Sequence, residues 1–260
     1  MGKNNLQNRW QKHDWQSNPF APDLKIVQAL VDGKTASGAG FSRFDALSRC
    51  LGETAEIITL NDGESSEGMA AGPDFDFAST HALYERLERW ALWEWWRGSL
   101  KAMPVNAHSL VSRLRHHSTK NRETRLWYLA AFPHVRVVIA QSCTPTGTQP
   151  ILGFGANNCT EKAAQSALIE LGLMELNLFD HSADLQDYFQ RILGKSNHLF
   201  PMASAVPFPH KTIASIADTL TPANINFTLH DRSPTGLDIA VVKADIQGAP
   251  SWHNTLGPLI

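Results

Sequence analysis

The sequence predicts a mixed α/β or α+β fold, and three observations point there. Helical periodicity and strand-like alternation are interspersed along the chain. Three segments repeat one plan: a glycine-bearing run, then a helix that carries glutamate. The composition, 43% apolar and 18% charged, suits a packed core, because the charged share falls below the ~25% usual in soluble domains. It argues against a disordered chain or a long coiled coil. A length of 260 residues fits one large domain or two small ones. No apolar run reaches about 18 residues, so no transmembrane helix is expected. A net charge of −2 gives no general attraction to nucleic acid or anionic lipid. The three cysteines, Cys50, Cys143 and Cys159, suit a reduced cytoplasm and make no disulfide or zinc framework. The first six residues lack an apolar signal core and the myristoylation pattern.

Taken in order, residues 1–22 read as a polar, extended lead-in, and residues 23–260 as the main domain. Residues 23–36 suggest a strand or short helix, with Asp32-Gly33 as the turn signal. Ser42 caps the first helix, whose buried stripe is expected at Phe44, Leu47, Leu51, Ala55 and Ile58. Ser79 or Thr80 caps the second, with Leu83, Leu87, Trp90 and Ala91 inward. Thr160 caps the third, with Ala164, Leu168, Leu171 and Met174 or Glu175 continuing the turn pattern. A further helix is expected near 106–116, strands near 125–132 and 135–142, and a helix over 182–194. A short helix from Thr212 to Leu220 and strands over 224–230 and 237–246 complete the reading.

The glutamates repeat with the glycines. Gly40 precedes Glu53 by the distance that separates Gly72 from Glu85. Glu53/Glu56 and Glu85/Glu88 are i,i+3 pairs, so each pair projects from one helix face. Two such pairs facing each other would repel unless cations sat between them. Hard divalent ions with oxygen ligands, Mg2+ above all, fit that need and bridge to phosphates. Arg89 could neutralise a phosphate oxygen, and the glycine runs could bring backbone N–H groups near it. The bland alternative is an ordinary helix surface, with Glu85 and Arg89 as an i,i+4 ion pair.

The motifs themselves resemble the three signatures of the YcaO family. Ser37-Gly38-Ala39-Gly40-Phe41-Ser42 followed by Gly52-Glu53-Thr54-Ala55-Glu56 looks like the first. Gly68-Met69-Ala70-Ala71-Gly72 followed by Ala82-Leu83-Tyr84-Glu85-Arg86-Leu87-Glu88-Arg89 resembles the second. Phe154-Gly155-Ala156 followed by Ala167-Leu168-Ile169-Glu170-Leu171 is similar to the third. The chain departs from the family pattern at Ala39, Ile57, Glu67 and Leu173, and in its C-terminal tail.

The resemblance implies helices packed on mixed sheets around a central nucleotide cleft. It implies an enzyme that uses ATP and Mg2+ to phosphorylate a backbone amide oxygen of a ribosomally made peptide, such as a bacteriocin. Loss of phosphate would leave an azoline, thioamide or amidine. By motif match, Glu53, Glu56, Glu85 and Glu88 would hold Mg2+. Ser42, Arg89 and Glu170 would contact the nucleotide, and Glu85, Glu88 and Arg89 would be catalytic. A precursor peptide and a leader-binding or TfuA-like partner protein are expected, with a homodimer allowed. The competing readings are a non-catalytic scaffold of the same fold and an unrelated metal-dependent enzyme.

Other features read as structural. Gly38-Ala39-Gly40 is only half of a dinucleotide fingerprint. The tryptophans of residues 90–96 read as packing. Arg113, Arg115, His116, His117, Lys120, Arg122 and Arg125 read as a solvated helix end and loop, with an acidic-peptide dock as the sharper option. His116-His117 has no Cys or carboxylate at metal spacing and reads as surface. Cys50 and Cys159 read as small core residues.

Overall fold

Three antiparallel sheets and the helices laid on them make up the computed structural model, which describes residues 6–179, 185–201, 203–207, 216–221 and 223–251. The first sheet is β1 (Lys12–Gln16), β2 (Lys25–Val31) and β3 (Lys34–Gly40), in that order. The second has the order β4 (Met69–Gly72), β10 (Ala240–Ile246), β9 (Phe227–Asp231). The third is β5 (Ala102–Val105), β6 (Glu123–Leu129), β7 (Arg136–Cys143) and β8 (Ile151–Asn157). Mixed sheets were expected within the α+β class; every pairing between these strands is antiparallel. The connections explain this: sequence neighbours within a sheet are mostly joined by short links, while the long helices carry the chain from one sheet to the next.

The helices are α1 (Arg43–Thr59), α2 (Phe75–Arg97), α3 (His108–Arg115), α4 (Thr160–Phe179), α5 (Gln186–Leu199) and the single turn α6 (Ala217–Leu220). Residues 212–215 of the helix expected from Thr212 to Leu220 lie outside the described residues, as does the start of the one expected over 182–194, and α6 is the described end of the former. Within the expected lead-in, Leu6–Arg9 forms a 3-10 turn and β1 pairs with β2. No described helix is long and apolar enough to cross a membrane.

Local sequence explains most boundaries. Asp32 and Gly33 are both left-handed, with φ of 48° and 77°, as a two-residue type I′ hairpin requires. Ser42 caps α1, its Oγ accepting from Asp45 N–H at 3.1 Å. The buried face of α1 is Ala46, Cys50, Thr54 and Ala55, and Phe44 is 77% exposed. The expected stripe was thus rotated, because the small residues, not the large ones, let α1 lie close on its sheet. Asp74, not Ser79 or Thr80, caps α2 by accepting from Phe77 N–H at 2.8 Å. Gly98, at φ 88°, ends it in the left-handed conformation. Its tryptophans weaken helix propensity by about 0.5 kcal/mol each. Trp95 and Trp96 are nonetheless 1% and 4% exposed, and burial at about 2 kcal/mol or more per large side chain outweighs that cost.

The glycine runs lie within strands. Cβ atoms at Gly38 would come 2.0 Å from Ala46 O and 2.4 Å from Cys50 N on α1. At Gly153 they would meet Leu171 N at 2.3 Å, and at Gly155 Ala163 O at 2.3 Å, both on α4. The glycines at these positions therefore serve close packing of a helix backbone on a strand. A half dinucleotide fingerprint is excluded on the same ground, since β3 is a hairpin strand rather than the turn of a βαβ unit.

Candidate functional site

The internal repeat resolves into three strand–helix units: β3–α1, β4–α2 and β8–α4. Each helix packs on its own sheet and also touches the glycine strand of another unit: α1 on β4, α2 on β8, α4 on β3. The units thus close in a ring. Glutamates on the three helices are brought together inside it.

Three of them latch strand backbone. Ser37 N–H on β3 donates to Glu53 Oε2 at 2.6 Å. Ala71 N–H on β4 donates to Glu56 Oε1 at 3.0 Å. Phe154 N–H on β8 donates to Glu170 Oε2 at 3.1 Å. On α2, Arg89 lies between two carboxylates, 3.7 Å from Glu85 and 3.5 Å from Glu88. Arg89 and its i,i+4 partner Glu85 expose 18% and 27% of their side chains, and Glu88 9%, so this is not the fully solvated pair that i,i+4 spacing allows.

The electrostatics report convergence. Burial pushes Glu53 up to about 7, against the Ser37 N–H that favours its charge. Burial raises Glu56 well above the usual range, and the charges of Glu85 and Glu53 add to it. Burial pushes Glu85 up to about 7; Arg89 opposes this, and Glu170 and Glu67 reinforce it. Glu88 rises for the same reasons, from burial first, with Glu170 and Glu85 as the repelling neighbours. Glu170 is also raised by burial, with Arg89, the Phe154 N–H and Arg49 opposing. Burial works against the charge of Arg89, but Glu88, Glu85 and Glu170 outweigh it and raise its pKa. Carboxylates from α1, α2 and α4 therefore share one crowded space.

A basic rim escaped the sequence reading. Arg49 on α1 is desolvated and feels the charges of Asp45 and Glu170. His81 on α2 is lowered by burial, then by Arg49 and Lys162. All three are exposed at the molecular surface, and Arg49 and His81 are partly desolvated there. The signal was present: Arg49 and His81 each stand one turn before a motif glutamate, Glu53 and Glu85. Ser42 is committed to its cap, its Oγ also donating to Asp45 Oδ2 at 2.7 Å.

The departures from the motif pattern are filled structurally. Ala39 is buried at 2% exposure, and Ile57 and Leu173 pack on hydrophobic clusters. Glu67 pairs with Arg86 at 3.6 Å. Arg86 also donates to the carbonyls of Ala249 and Pro250, tying α2 to the segment after β10.

The basic stretch is not uniformly solvated. Arg115 and Arg122 are drawn inward by the fully buried Glu175, and Arg113 lies 4.0 Å over the Phe41 ring. His116 and His117 do have a carboxylate partner, Asp23, distant in sequence and close in space. The tryptophans pack as expected, with Trp95 Nε1 donating to Leu199 O at 2.9 Å. Cys50 is buried, and burial, then the charge of Glu53, pushes its thiol up to about 12, so it is inert. Two cavities, of about 370 and 260 Å3, lie elsewhere: one beside β5, β6 and α3, the other beside Arg122 and Glu175.

The family model described as YcaO cyclodehydratase, ATP- and Mg2+-binding, matches residues 62–247. Among solved structures, the YcaO protein of Methanopyrus kandleri bound with AMPPCP and Mg2+ superposes with a TM-score of 0.75 at 16% identity, covering 94% of this chain and 88% of that one. A heterocyclase in complex with substrate and cofactor gives 0.79 at 14% identity, over 93% of this chain; the chain spans only 50% of that protein's length. The E. coli microcin synthetase McbBCD complex gives 0.65 at 11% identity, covering 94% and 89%. No curated protein sequence matches the chain.

Proposed function

The chain belongs to the YcaO family, and from that premise we propose that it activates backbone amides of a ribosomally made peptide with ATP and Mg2+. The observation that carries this reading is the ring of carboxylates from three helices around Arg89, edged by Arg49, His81 and Lys162. An acidic floor with a basic rim suits a magnesium–polyphosphate better than either charge alone would.

The donor set fits the ion. Five desolvated glutamates, each with a pKa raised at least partly by its neighbours or by burial, are better matched by a hard cation than by water. No three of them bring oxygens within 4.8 Å of one another. That spread suits Mg2+, which keeps waters and reaches phosphates, more than an ion that demands an all-protein cage. Glu53, Glu56, Glu85 and Glu88 would hold Mg2+ between them, no more than two directly on any one ion and the others through its waters, and it would supply charge neutralisation on the phosphates.

The chain's own task is then to bind and orient. Arg89 holds a phosphate oxygen, and Arg49, His81 and Lys162 offset charge at the mouth. Glu170 lines the nucleotide side. A nucleophile adds to the peptide carbonyl carbon and gives up its proton, the carbonyl oxygen takes the γ-phosphoryl group of ATP with release of ADP, and the C–O bond then breaks with loss of phosphate and of the amide nitrogen's proton. An amide oxygen leaves poorly; a phosphorylated one leaves well. A precursor peptide and a leader-binding or TfuA-like partner protein complete the reading.

Calorimetry with ATP and Mg2+ tests it. Binding is expected, and Glu88→Gln should weaken it or lower turnover by about 100-fold. Co-expression with the candidate peptide should remove one water per cyclised residue, read by mass spectrometry. Unchanged peptide modification in Glu88→Gln would favour a non-catalytic scaffold instead.

A further inference from the structure

We propose that Asp23, His116 and His117 form a binding site for one divalent transition-metal ion of the zinc class. They are the one set among the described residues that offers three ligand atoms, one from each side chain, all within 4.8 Å of one another. The site shares no residue with the glutamate cleft, and its chemistry differs. Two imidazole nitrogens and one carboxylate oxygen favour Zn2+, Co2+, Ni2+ or Cu2+ over Mg2+.

Donors within reach of one ion are assembled. Two donors about 2.1 Å from a tetrahedral centre lie roughly 3.4 Å apart. His116 Nδ1 is 2.8 Å from Asp23 Oδ2, and His117 Nδ1 is 3.7 Å from the other oxygen, Oδ1. The two ring centroids are 3.7 Å apart, so the exposed rings would swing apart by a side-chain rotation to share one tetrahedral ion. Consecutive side chains diverge in a regular helix or strand. Here His117 is left-handed, with φ of 59°, and both imidazoles turn toward the same carboxylate.

Both halves of the site are fixed by bonds that do not involve the ligands. On one side Asn18 Nδ2 donates to Gly172 O at 2.7 Å, and Phe20 N–H donates to Asn18 Oδ1 at 2.8 Å. Across the gap Arg115 Nη1 donates to Phe20 O at 3.0 Å, and Thr119 N–H to Pro19 O at 3.1 Å. The ion therefore meets a set of donors already assembled, at a surface where each ligand side chain is 43–70% exposed. Water fills the remaining coordination position. The bound ion fastens the segment before β2 to the end of α3.

Co2+ titration of the full chain tests this, with visible absorption as the probe and Zn2+ as competitor. With Mg2+ in excess to occupy the glutamate cleft, one Co2+ per chain is expected, displaced by Zn2+ and insensitive to Glu85→Gln. His117→Ala, at an exposed position, and Asp23→Asn, at a half-buried one, should each weaken it by about ten-fold or more, and Zn2+ should raise the melting temperature of the parent but not of these variants. A Co2+ signal unchanged in His117→Ala, one lost in Glu85→Gln, or affinity weaker than about 1 mM would each overturn the assignment.

Discussion

Glu175 on α4 and Arg115 on α3 meet as a forked pair, with each carboxylate oxygen 2.7 Å from a guanidinium nitrogen. Glu175 is fully buried, and Arg122 Nε lies 3.3 Å from the same carboxylate. Two cations thus depend on one anion. Glu175→Gln should cost about 3–5 kcal/mol, because it strands both arginines. Denaturant midpoints would measure it, and a loss below about 1 kcal/mol would mean the pair is solvated in solution.

Gly153→Ala should destabilise by about 1–3 kcal/mol, since its Cβ would strike Leu171 N and Ala167 O on α4. The helix that must shift carries Glu170, so nucleotide binding should fall further than stability alone explains. Gly194→Ala is the control. It sits exposed within α5 with nothing within 4 Å of the added carbon, so a gain of up to about 1 kcal/mol is expected.

The ion-free protein should lose stability as pH rises. Glu53 and Glu85 are pushed up to about 7 by burial, so their folded forms hold protons that the unfolded chain has released. Their contribution is complete below the ordinary carboxylate value, about 4.3, and is lost as pH climbs through about 7. Glu64, held low chiefly by Lys243, acts oppositely and only at acid pH. Denaturation in EDTA at pH 5 and pH 8 should show the fall, and Mg2+ should reduce it. A flat profile in the parent, or the same fall in Glu53→Gln/Glu85→Gln, would refute this.

Asp74→Ala should remove about 1 kcal/mol by uncapping α2. Ser79→Ala should be neutral or favourable, since Ser79 Oγ is buried with no hydrogen-bond partner among the described residues. The reverse order of effects would place the helix start where the sequence put it. Thermal melts of the two variants decide.

Elements with strong local chemistry were legible. The Asp32-Gly33 hairpin, the Ser42 cap, α3 and the β-branched β7 all stand where periodicity and turn signals place them. The pairs Glu53/Glu56 and Glu85/Glu88 stand out in the sequence because their spacing repeats, and Glu170 by its motif. What was hidden depends on partners far along the chain. That the glycines of β8 make room for α4 shows only once α4 lies on it. The α1 stripe was misjudged because size, not hydrophobicity, selects Ala46 and Cys50 over Phe44. Asp23 lies 93 residues from His116, and no local spacing could join them.

The backbone latches have one last effect, on which oxygens are left for a guest. Glu53, Glu56 and Glu170 each engage a strand amide through a single oxygen. Each has a second oxygen to offer a guest, turned to no strand amide, while on α2 Glu85 and Glu88 each lend one oxygen to Arg89. Aspartate substitutes, shorter by one methylene, would fail at the latched positions for want of reach, while glutamine, which keeps a carbonyl acceptor for the strand amide, should preserve the scaffold and silence the site.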